Sequence, residues 1–85
     1  MKKIDTKEFE LLAGTDAMVE LIRNRIVITL SDDTDDSVIN AVYDCAKRIS
    51  TEVYYVRKLS DRQIIFYFLS PIDRSKFDDA VNQNI

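Results

Sequence analysis

Glu52-Val53-Tyr54-Tyr55-Val56-Arg57-Lys58 and Gln63-Ile64-Ile65-Phe66-Tyr67-Phe68-Leu69 are two runs of β-branched and aromatic residues on either side of Leu59-Ser60-Asp61-Arg62. That pattern predicts an antiparallel hairpin. With Ser60 and Asp61 as the turn, Tyr55 lies opposite Phe66 and Val53 opposite Phe68 on one face. Tyr54 then opposes Tyr67, and Val56 opposes Ile65, on the other. Both faces are apolar, so each needs a cover.

The elements around the hairpin supply candidates. Before it, Val38, Ala41, Val42, Cys45 and Ile49 recur with helical period to about Ser50, with Asp35 and Asp36 in the first turn and Lys47 and Arg48 in the last, the charge order a helix dipole favours. Asp33 or Thr34 is the expected cap. After the hairpin, Ser70-Pro71-Ile72-Asp73 places a capping hydroxyl, a proline at the first helical position and an acid at the third. A closing helix from 71 to about 82 follows, with Phe77, Ala80 and Val81 on one stripe.

Further upstream, Arg25-Ile26-Val27-Ile28-Thr29-Leu30 alternates as a strand, Ile26, Ile28 and Leu30 on one side and Arg25, Val27 and Thr29 on the other. Residues 16 to 23 form a helical stripe through Ala17, Met18, Leu21 and Ile22, capped by Thr15 or Asp16 and closed by Asn24. The rival for this segment is a strand from Met18 to Ile22 turning into residue 25, although Arg23-Asn24 lacks the glycine that tight hairpins favour. A first amphipathic segment begins at Thr6, whose hydroxyl is a candidate cap, and Gly14 stops it.

The expected fold is thus a single α+β domain over residues 1–85, a small three-stranded mixed or antiparallel sheet packed with amphipathic helices in the order α(α)-β-α-β-β-α. A split β-α-β arrangement of the ferredoxin-like kind, with strand 63–69 between the other two, is the leading topology. One glycine and one proline leave no room for a linker within these 85 residues. Apolar residues at 46% and charged ones at 32% are the balance of a folded chain.

Chemistry is sparse. The chain has no His, the commonest general base and transition-metal ligand. Cys45, the single cysteine, sits on the core-facing stripe of its helix and reads as a packing residue. The acids Asp32, Asp33, Asp35 and Asp36 are the candidate metal cluster of a metal-dependent enzyme, but their spacing is not that of an EF-hand and helix capping accounts for them. No cofactor is implied, no run is long enough to span a bilayer, and the opening Met1-Lys2-Lys3-Ile4 has no apolar leader after it. The expected location is cytoplasmic.

Arg57, Lys58 and Arg62 near the hairpin tip, with Tyr54 and Tyr67 as a stacking platform, form the nucleic-acid alternative. The net charge of −3 argues against it. A third alternative, acidic mimicry of nucleic acid, requires Asp5, Glu8, Asp16, Glu20 and the 32–36 run to gather on one side.

What remains is the face bearing Tyr54, Val56, Ile65 and Tyr67. Either the first helices cover it through Phe9, Leu12, Met18, Leu21 and Ile22, or a partner does. The leading functional expectation is a non-enzymatic protein-binding regulator or inhibitor, of bacterial or phage type, that occupies a surface of a larger protein and is capable of forming a homodimer.

Overall fold

The computed structural model describes residues 2–84, which form four helices and one four-stranded mixed sheet. In chain order the elements are β1 (Lys3–Ile4), α1 (Thr6–Leu11), α2 (Asp16–Arg23), β2 (Arg25–Thr29), α3 (Asp36–Ile49), β3 (Tyr54–Ser60), β4 (Gln63–Phe68) and α4 (Pro71–Asn84). The strand order is β1-β3-β4-β2. Both β2 and β3 run antiparallel to β4, which separates them, so β2-α3-β3 is the expected split β-α-β unit. A fourth strand joins the three anticipated ones: Lys3 and Ile4 pair in parallel with Tyr54 and Tyr55 along the far edge.

Residues 16–23 are helix rather than strand. The Thr15 hydroxyl accepts from the Met18 N–H at 3.4 Å, and Asn24 ends the helix while its side-chain amide donates to the Leu69 carbonyl at 3.2 Å. Gly14 precedes it with φ of +83°, a left-handed conformation that costs glycine least. Two expected caps are corrected. Asp5 caps α1 in a reciprocal box with Glu8, because Thr6 turns its hydroxyl to that of Tyr55, 3.0 Å away. Neither Asp33 nor Thr34 caps α3: both side chains bond Ser31 Oγ, and Asp35 takes the cap position without a side-chain bond.

The sheet carries a core on each face. Against α3 and α4, Ile64, Phe66 and Phe68 pack with Ile26, Leu30, Val42, Ala46, Tyr54 and Phe77. Phe77 holds its ring centroid 4.7 Å from that of Phe66 and 5.2 Å from that of Phe68. On the opposite face, Tyr55, Tyr67 and Leu21 form a smaller cluster with Ile4, Phe9 and Leu12. Phe9 stacks on Tyr55 at 4.1 Å. The helices α1 and α2 therefore supply the second cover that the two apolar faces demanded.

Candidate functional site

The hairpin register decides which side chains meet, and it differs from the expected one by a residue. Tyr54 pairs with Phe68, Tyr55 with Tyr67, Val56 with Phe66 and Arg57 with Ile65. The turn residues are Asp61 and Arg62, and the ladder shifts between Lys58 and Ser60. The shift has a physical reason. Primed two-residue hairpin turns need positive φ, which no non-glycine residue among the described ones adopts, so the mismatch with strand twist is absorbed by a bulge at Leu59.

A one-residue slip moves every side chain of one strand to the other face. The expectation that Tyr54, Val56, Ile65 and Tyr67 share a face is thereby corrected. Tyr54 and Val56 lie on the α3–α4 side, Ile65 and Tyr67 on the α1–α2 side. Tyr54 and Tyr67 are only 4% and 7% exposed. Burial raises the Tyr54 phenol above its usual range. Tyr54 and Val56 floor a cleft of about 480 Å³ beneath α3, walled by Tyr43, Lys47 and the lysines of the β1 segment.

The cations are also divided. Arg57 is exposed and opposite Ile65, whereas Lys58 is opposite Ile64 on the other face and reaches Asp61 at 3.2 Å. Arg62 folds back to donate to the Thr34 carbonyl at 2.9 Å. With both tyrosines buried, these residues do not form the stacking platform a single strand uses. The acids gather no better. Among the described residues no three Asp, Glu or Cys side chains converge as metal ligands, and the Ser31 hydroxyl holds the Asp33 carboxyl below its usual pKa. Asp5, Glu8, Asp16 and Glu20 belong to the α1–α2 layer, and the 32–36 run leads into α3 on the other layer. Cys45 is buried in the larger core.

What the structure leaves open is the hairpin end of the α1–α2 face. Across β3, β4 and β2, Arg57, Ile65 and Val27 form one row. Val27 is 49% exposed, and Leu59 at the bulge 47%. Ile65, beside Val27 in that row, is half-buried and packs against the Tyr55–Tyr67 cluster. Val27 carried a readable signal, an apolar residue alternating with Arg25 and Thr29 on the polar side of its strand. Leu59 carried none, since it falls in what reads as a loop.

No helix among the described residues is long and apolar enough to cross a membrane. Compared with known protein families, curated proteins and solved structures, the chain matches none.

Proposed function

We propose that this domain is a non-enzymatic protein-binding module, a small regulator or inhibitor that docks on a larger protein through the open half of its α1–α2 face. The observation that carries this reading is the exposed Val27 beside the half-buried Ile65, with the exposed Leu59 at the end of the neighbouring strand and Arg57 in the same row. A rigid sheet presents these side chains without ordering a loop, which lowers the entropy lost on docking. The partner that fits is an apolar protrusion with a carboxylate placed to meet Arg57, since a guanidinium at the rim of an apolar patch favours an acid.

The test is affinity capture from a lysate of the source cells, using the wild type, Ile65→Lys, and Lys76→Glu on α4 as a control. The expected result is a stoichiometric protein held by the wild type and the α4 control and weakened at least about tenfold by Ile65→Lys, with circular dichroism showing all three folded. Capture that ignores Ile65→Lys, or no stoichiometric protein at all, overturns the assignment.

A further inference from the structure

We propose that β2 is a self-pairing edge, through which two copies of the chain join into one continuous sheet about a two-fold axis at Val27. The backbone groups of β2 alternate in direction. The Leu69 N–H donates to the Val53 carbonyl at 3.0 Å, so odd-numbered residues of β4 bond toward β3, and Ile65 with them. Even-numbered residues of β4 then bond toward β2, consistent with the Leu30 N–H donating to the Arg62 carbonyl at 2.7 Å. Ile26 and Ile28 are the inward partners. The N–H and C=O groups of Arg25, Val27 and Thr29 consequently point away from the sheet, along its outer edge.

That edge complements itself. An antiparallel copy centred on Val27 sets Val27 opposite its own counterpart and Arg25 opposite Thr29 at both ends, each pair able to exchange backbone hydrogen bonds. A centre at Arg25 would face two guanidiniums, and there or at Thr29 only the central residue of each five-residue strand would overlap its counterpart. The chosen centre also joins the exposed Val27 side chains across the seam and sets Ile26 opposite Ile28 on the other face.

The other open edge is guarded. Beyond Ile4, β3 is unpaired from Val56 onward, but that stretch carries Arg57, Lys58 and the Leu59 bulge, the devices that discourage strand addition. The β2 edge carries a single charge, Arg25 at its first residue, and no lysine, proline or bulge between Arg25 and Thr29. The occupant that matches its phase is a second copy.

The experiment is analytical ultracentrifugation of the purified chain over a wide concentration range, with no other protein present, so its outcome is independent of the docking reading above. The expected result is a reversible species of twice the 9.9 kDa chain mass. Val27→Pro removes an outward N–H while sparing the β2–β4 ladder, and is expected to be a folded monomer. Should that variant unfold, Thr29 decides. Thr29→Glu places a carboxylate opposite Arg25 twice and tightens the dimer about 2- to 30-fold, and Thr29→Arg weakens it by a similar factor. Val27→Cys in a Cys45→Ala background is cross-linked by a short bis-maleimide, because a hydrogen-bonded antiparallel pair holds its Cα atoms about 5.5 Å apart and the two thiols within the reagent's span. A monomer at every concentration, a dimer indifferent to the charge at position 29, or a dimer that Val27→Cys does not cross-link overturns the proposal.

Discussion

Asp73 is the residue whose sequence context most understates its work. An acid at the third position of a helix reads as part of a capping box, yet it is fully buried and does not turn back to the cap. Ser70 Oγ caps α4 alone, accepting from the N–H groups of Ile72 and Asp73 at 3.2 Å each. The Asp73 carboxylate instead accepts from the Thr51 N–H and hydroxyl, both at 2.9 Å, and from the Glu52 N–H at 3.1 Å. It fastens the α3–β3 connection to α4. Hydrogen bonds to a charged group are worth more than neutral ones, so Asp73→Ala is expected to cost about 2 to 4 kcal/mol in urea unfolding, and Asp73→Asn less. Tyr54 gives the pH counterpart. Burial lifts its folded pKa above the unfolded value near 10, so its contribution to stability is intact below that value. As pH rises further, the unfolded chain ionises first and stability falls until the folded phenol ionises too. Tyr54→Phe is expected to flatten this alkaline limb, measured as the difference in urea midpoint between variant and wild type from pH 8 upward.

At the scale of elements, α1 is the one that rests on the fewest named contacts. It is a six-residue helix, too short to persist on its own. It is held by the Asp5–Glu8 box, the Thr6–Tyr55 hydroxyl pair and the stacking of Phe9 on Tyr55. Asp5→Ala is expected to cost about 1 kcal/mol, seen as faster amide exchange confined to α1. Gly14→Ala is expected to cost about 1 to 2 kcal/mol at φ of +83°, although a Cβ there meets no atom within 4 Å, so the penalty is backbone strain alone. These elements also mark where reading a sequence reaches its limit. Alternation in residues 25–30, helical period in 36–49 and the Ser70-Pro71 start were legible because each is a local pattern repeated over several residues. The two-residue β1 is too short to have a period. Register was illegible for a different reason: the bulge at Leu59 follows from turn geometry, and Leu59-Ser60-Asp61-Arg62 contains no glycine or asparagine to announce it. One displaced residue was enough to scatter the proposed Tyr54–Tyr67 surface over two faces, leaving Val27 as the exposed apolar member of the Arg57–Ile65–Val27 row.

In the whole molecule, β4 is the shared wall between two unequal cores. Its Ile64, Phe66 and Phe68 serve the larger core, while Ile65 and Tyr67 serve the smaller. A domain of this size has roughly 4 to 13 kcal/mol of net stability, comparable to the loss from one or two large buried side chains. The two cores should therefore fail differently. Phe66 is fully buried and touches both β2 and α4 through its cluster, so Phe66→Ala removes about 3 to 5 kcal/mol from the part every other element depends on. Leu21 is equally buried, but its cluster joins only α1, α2 and one face of the sheet. Leu21→Ala is expected to free the α1–α2 layer while α3, α4 and the sheet stay folded against each other. Native-state hydrogen exchange distinguishes the two: Leu21→Ala should accelerate amides of residues 6–24 far more than those of β4, and Phe66→Ala should accelerate both together. Equal acceleration by the two variants would mean that the faces unfold as one unit and that α1 and α2 are integral to the fold rather than a cover laid upon it.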